Sequence, residues 1–266
     1  MLRAYEGNLG KFEYDDAVFA ISDEDTLKYI GSETNGKNIN VPDGLVDGTG
    51  LFEETDIKTG ANLPDSIRKM SRMYYGCANM TEAGVIPDGV TDIDSAYAYT
   101  KIQETPQIPD SVKNADFAFD HCNDLERCVN FSDNLETANC MFSGDRHLTQ
   151  LPEKLPESLR YMNGFASDCQ NLEHAPLTCE NVKEMDHAYA SCQNLKVQPY
   201  VPDGASAENV ISDCYKLEHQ DEASHDKSLS QVFKAAEPAH IDRDAALAEA
   251  TASIEHSTDP DNQIQR

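Results

Sequence analysis

The chain has 266 residues, 39% hydrophobic and 26% charged, a balance that allows a buried core and excludes wholesale disorder. No run approaches 18 apolar residues, which excludes a membrane-spanning helix. The formal net charge of −27 is spread along the whole length, disfavours phosphate backbones and anionic lipids, and suits either plain solubility or a basic partner.

The opening stretch, MLRAYEGNLGKFEYDDAVFAI, shows no basic segment followed by an apolar one and no small-residue cleavage site. It is expected to begin a cytoplasmic chain; a cell-surface or signal-independent secreted location is the alternative. Within residues 1–40, AVFAI and TLKYIG flank the polar SDED, which predicts a β-hairpin serving as an N-terminal β cap.

From Val41 a repeat takes over. VPDG at Val41, LPDS at Leu63, IPDG at Ile86, IPDS at Ile108, FSDN at Phe131, LPES at Leu155, LTCEN at Leu177 and VPDG at Val201 start successive units. Their spacings are 22, 23, 22, 23, 24, 22 and 24 residues, a series chance does not produce. Each unit then places residues in columns. Ile67, Val90 and Val112 share the first aliphatic column, and Phe52, Tyr74, Tyr97, Phe119, Phe142 and Tyr189 an aromatic one. Three residues beyond the ring come Cys77, Cys122, Cys169, Cys192 and Cys214, with Thr55, Thr100 and Asp145 replacing cysteine. Leu125, Leu148, Leu172 and Leu195 follow. One unit has Ala166 where the ring is expected, and the unit from Val201 is degraded.

A lone unit cannot bury these columns, whereas stacked coils bury one against the next. The prediction is a right-handed repeat solenoid of α/β class. A parallel sheet lines one face, and a second short strand with a helical or 3₁₀ turn forms the other. Proline followed by Asp-Gly or Asp-Ser supplies the turns. The stretch IPDSVKNADFAFDHCNDLERCVNF resembles the leucine-rich repeat of the BspA-like, Treponema-type subfamily, over about eight units from residue 41 to 219. The resemblance implies the solenoid fold. Because BspA-like relatives are often surface-exposed and bind host or matrix proteins, it also implies an adhesin or secreted effector as one alternative function.

After residue 219 the composition shifts to Ala, Ser and Glu. SLSQVFKAAE and DRDAALAEATASIEH read as helices, with Leu229, Val232 and Phe233 closing the solenoid, so 220–266 is expected to be a C-terminal helical cap with a flexible tail from Ser257.

Candidate chemistry is sparse. The cysteine column reads as buried small hydrophobes, as does Cys128; Cys140 and Cys179 fall outside the columns and are the thiols expected to react. His121 beside Cys122 is adjacency in sequence, not nucleophile–base geometry. There is no CxxC pair and no His pair with metal-binding spacing. The acids Asp43, Asp65, Asp88, Asp110, Asp133, Glu157 and Asp203 read as turn residues rather than a calcium column. No catalytic residue, metal or cofactor is predicted. The exposed strand positions Glu82, Glu104, Arg127, Gln150, His174, Val197 and Tyr200 mix acids, amide, histidine and aromatic as a protein-binding surface does. The expected function is therefore a non-enzymatic, monomeric module. It binds a protein partner, a basic one by charge, through the sheet face, without direct nucleic-acid binding or membrane insertion. An acidic DNA mimic that inhibits a nucleic-acid-binding protein is the second alternative.

Overall fold

The computed structural model describes residues 3–4, 11–21, 27–32 and 38–218. The chain divides into a unit of residues 1–220 and one of 221–266, and everything described lies in the first. The helices expected at SLSQVFKAAE and DRDAALAEATASIEH lie outside the described residues.

Strands β1 (Arg3–Ala4), β2 (Lys11–Tyr14), β3 (Ala17–Ile21) and β4 (Leu27–Ser32) form an antiparallel sheet in sequential order. Asp15 and Asp16, at φ 44° and 64°, turn β2 into β3 in two residues, the left-handed pair that a tight hairpin requires. β3 is the AVFAI segment and β4 takes LKYIG of the second segment together with Ser32, paired from Ala17↔Ser32 to Ile21↔Leu27. The expected hairpin is thus half of a larger meander.

β4 lies against the first coil. Tyr29 N–H donates to Leu51 O at 2.8 Å, and the Tyr29 ring sits 5.1 Å from Phe52. From there the aromatic column runs through the core without a gap. Phe52, Tyr74, Tyr97, Phe119 and Phe142 stack at 5.3–5.7 Å. At Ala166 the column does not lose its ring. Phe165, one residue earlier, fills the place edge-on, 5.4 Å from Phe142 and 6.1 Å from Tyr189. The buried side chains of all coils form one continuous cluster. Burying a ring of this size contributes about 1.5–3 kcal/mol by area alone.

Between the aromatic and cysteine columns the backbone follows a fixed rule. Ser95, Tyr97 and Tyr99 donate N–H to the next coil (Asp116 O, Ala118 O and Asp120 O, 2.8–2.9 Å). Ala96, Ala98 and Thr100 instead close turns onto the third residue before them. Two residues per coil, four apart, take left-handed φ: Ser95 and Tyr99, Phe117 and His121, Gly164 and Asp168. The strain this puts on non-glycine residues is held by the inter-coil bonds.

That geometry corrects two expectations. Among the described residues the only helix is α1 (Tyr215–Glu218), so the coils carry consecutive turns where a helical or 3₁₀ turn was expected. The parallel pairing is present only as isolated bridges, not as strands. One column runs Lys69↔Asp92↔Asn114↔Thr137↔Tyr161↔Glu184↔Ser206, and on the opposite side Glu104↔Arg127↔Gln150. Pro106, Pro152 and Pro176 stand where the second side would extend into strands, and proline cannot donate to a ladder. Along the first column a polar ladder satisfies the backbone. Asn114 Oδ1 accepts Asp116 N–H (3.0 Å) and Thr137 Oγ1–H (2.8 Å), Asp116 accepts Asn139 N–H (2.7 Å), and Asn139 accepts Asn163 N–H (2.9 Å).

Candidate functional site: a groove on the bridged face

The His121–Cys122 pair resolves into two unrelated positions. Cys122 is fully buried and its Sγ donates to Tyr97 O at 3.0 Å. His121 points outward, with Nδ1 2.9 Å from Asp120 Oδ2 and its ring stacked 5.0 Å from Tyr99. The same S–H donation recurs down the column: Cys77 to Phe52 O, Cys169 to Phe142 O, Cys192 to Ala166 O and Cys214 to Tyr189 O, at 2.9–3.2 Å. Burial pushes the Cys192 thiol up to about 12 and the Cys122 thiol higher, the opposite of an activated nucleophile. Cys140 is half-buried, and burial with Asp120 and Asp116 raises its thiol too. Cys179 is buried, which corrects its expected reactivity: Thr178 and Cys179 turn inward where the unit has lost its proline.

Among the described residues, no group of three or more His, Cys, Asp or Glu is placed to hold a metal ion, and no helix is long and apolar enough to cross a membrane.

The seven predicted surface residues divide. Glu82, Glu104, Arg127 and Gln150 line one open groove of about 730 Å³. His174, Val197 and Tyr200 are exposed but lie outside it. The division has a structural cause. The step from the Leu148 coil to the Leu172 coil is 24 residues, and the next bridge on this side is Lys154↔Leu177, so no bridge joins Gln150 to His174 among the described residues. Tyr200 instead donates its hydroxyl to the Glu180 carboxylate at 2.9 Å.

The groove is polar. Arg127 Nε donates to Glu104 Oε2 at 2.7 Å, and its terminal nitrogen reaches the same oxygen. Glu82 and Glu126 have no ion-pair partner among the described residues. The floor is shaped by close packing between coils. A Cβ on Gly60 would lie 2.2 Å from Ala83 O, and one on Gly84 2.9 Å from Gly60 Cα, so both positions need glycine.

Sequence reasoning missed Thr81, Gln103, Glu126 and Thr149, which also line the groove. Each immediately precedes one of the four predicted residues. Period-two alternation assigns neighbours in a strand to opposite faces, but these segments are not regular strands, and both residues face out.

A second exposed feature lies on the turn side. Arg72 sits 3.9 Å over the Tyr75 ring, which packs 5.4 Å from Tyr99, which stacks on His121. A Cβ on Gly144 would lie 3.1 Å from the His121 ring, so that ring rests on backbone. Arg72 thus covers one face of Tyr75 and His121 one face of Tyr99, while Tyr99 stays 44% exposed.

The chain is similar to two crystallised leucine-rich repeat proteins. One, from T. pallidum, is 20% identical, with 81% of this chain and 96% of that chain covered and a TM-score of 0.49. The other, from Bacteroides ovatus, is 19% identical, with 77% and 69% covered and a TM-score of 0.49. No curated protein matches the sequence. The family model for the BspA type leucine rich repeat region matches in six copies, over residues 12–126 and 70–196. The family match runs from residue 12 to residue 196, over most of the columns and coils described above, and the chain belongs to the BspA-type leucine-rich repeat family.

Proposed function

We propose that this protein is a non-enzymatic interaction module that binds a protein partner on the bridged face of its coils, with residues 1–40 as its N-terminal cap. Leucine-rich repeat regions commonly serve as protein-interaction modules, and this reading agrees with the family. The observation that carries it is the convergence of Glu82, Glu104, Arg127 and Gln150 from four successive coils into one groove. A right-handed coil belongs to the same reading, since crossovers between parallel strands take that hand. So does a cytoplasmic setting, which fits eight free thiols.

The test is positional crosslinking in an extract of the source organism. A photoreactive residue at Gln150 is expected to trap a discrete partner, and Gln103→Trp, which fills the groove without changing its charge, to abolish the trapping. The same probe at Ser191, on the turn side, is expected to trap none. Equal capture from both positions, or capture indifferent to Gln103→Trp, removes the proposal.

A further inference from the structure

The bridge ladder under the groove is broken at one step. Thr59 pairs with Glu82, and Glu104 with Arg127, but no bridge joins Glu82 to Glu104 among the described residues. The sequence supplies the reason. Met80 follows Cys77 by three residues, whereas Ile102 follows Thr100 by two. The shortened turn draws Lys101 N–H onto Met80 O at 2.9 Å. On the other side, Gly60 and Gly84 let the strand segment holding Glu82 press against the preceding coil. The neighbouring segments therefore part. Elsewhere on this face Gly60 N–H reaches Glu82 O (2.8 Å) and Glu126 N–H reaches Gln103 O (2.8 Å). The corresponding N–H groups of Ala83 and Gln103 have no hydrogen-bond acceptor among the described residues. Both residues line the groove together with Glu82 and Glu126, whose carboxylates have no ion-pair partner among the described residues.

We propose that the groove takes a short extended segment bearing lysine or arginine, whose main-chain carbonyls accept from Ala83 and Gln103 N–H while its basic side chains pair with Glu82 and Glu126. Main-chain donors left open at a sheet give affinity for any extended chain, and the side-chain groups beside them select its sequence. The chain's net charge of −27 favours the approach of such a segment and repels acidic ones. Arg127 does not oppose it, because its charge is already spent on Glu104. The lining spans four coils, about 14 Å at the usual strand separation, which matches about four or five extended residues.

This inference rests on the bridged-face reading and refines its partner. Two blocked pentapeptides serve as probes, one alternating threonine with lysine and one threonine with glutamate, each titrated into the isotope-labelled full chain. The lysine peptide is expected to shift the Ala83 and Gln103 amide signals, and the glutamate peptide to leave them unmoved. Glu82→Gln combined with Glu126→Gln is expected to weaken the lysine peptide at least about fivefold, with the rest of the spectrum unchanged. Equal binding of both peptides, undiminished binding by the double variant, or shifts elsewhere on the surface overturn the inference. If these occur while the Gln150 crosslink survives, the bridged face still binds a partner, but by different chemistry.

Discussion

Replacing Asp145 by threonine is expected to raise stability by about 1–3 kcal/mol at neutral pH, the usual cost of a buried, unsatisfied polar group. Asp145 occupies the cysteine column, fully buried, and neither carboxyl oxygen has a hydrogen-bond partner. Threonine already works in this column. Thr55 Oγ1 donates to Phe52 O at 2.7 Å and Thr100 Oγ1 to Tyr97 O at 2.8 Å. Each of those carbonyls also takes a thiol from the next coil, Cys77 at 2.9 Å and Cys122 at 3.0 Å. Phe142 O, which accepts Cys169 Sγ at 3.0 Å, is the equivalent acceptor beside position 145. Asp145→Thr restores the second donor there.

The pH dependence of this effect has a definite sign. Burial, with a smaller push from the Asp120 charge, holds the Asp145 carboxyl well above its ordinary value of 3.8, and the buried thiols of Cys122 and Cys169 flank it. The folded state thus binds this proton more tightly than the unfolded one. The contribution is fully present below the unfolded value and is lost as pH rises through the folded value. Between the two, the wild type loses up to about 1.4 kcal/mol per pH unit from this group. Denaturant melts of both proteins from pH 4 to 8 are expected to show the Asp145→Thr advantage growing with pH. An advantage that is absent, or flat with pH, contradicts the assignment.

Removing the Phe142 ring has the larger expected effect, a loss of about 3–5 kcal/mol on Phe142→Ala. Phe142 is fully buried at the point where the stack changes geometry. It lies nearly parallel to Phe119 (9°, 5.7 Å), edge-on to Phe165 (88°, 5.4 Å), and 6.4 Å from Phe131. In a repeat array each coil is stabilised mainly by its neighbours, so weakening one interface uncouples the coils on either side. Phe142→Ala is therefore expected to turn one unfolding transition into two, and Phe142→Leu to keep a single one at intermediate stability. A single transition with less than about 1 kcal/mol lost would show that the ring stack does not couple the coils.

The sequence made the columns legible because core positions admit few residue types. Phe119, Cys122 and Leu125 stand where the repeat places them. What it hid depends on backbone conformation. Nothing in Ser95, Phe117 or His121 announces a left-handed residue, since glycine holds that conformation in only some coils, as at Gly164. The prolines at 106, 152 and 176 were visible, yet their effect is understood only once bridges replace strands around them. The groove was half legible. Column logic found Glu82, Glu104, Arg127 and Gln150, but placed His174, Val197 and Tyr200 on the same surface because it has no term for the break after Gln150. Ala166 looked like a defect in the aromatic column, and three dimensions show the neighbouring Phe165 filling it.

Two exposed surfaces compete for the partner, and their physics differs. Tyr75, Tyr99 and His121 pack on one another and under Arg72, and present aromatic surface without open main-chain donors or unpaired carboxylates of their own. The groove offers uncompensated carboxylates and open main-chain donors. Amide hydrogen exchange of the chain with its crosslink-identified partner decides between them. Slowed exchange over residues 81–84, 103–105, 126–127 and 149–150 is the predicted result. Slowing confined to Tyr75, Tyr99, His121 and their neighbours on the turn side would contradict the bridged face as the binding surface.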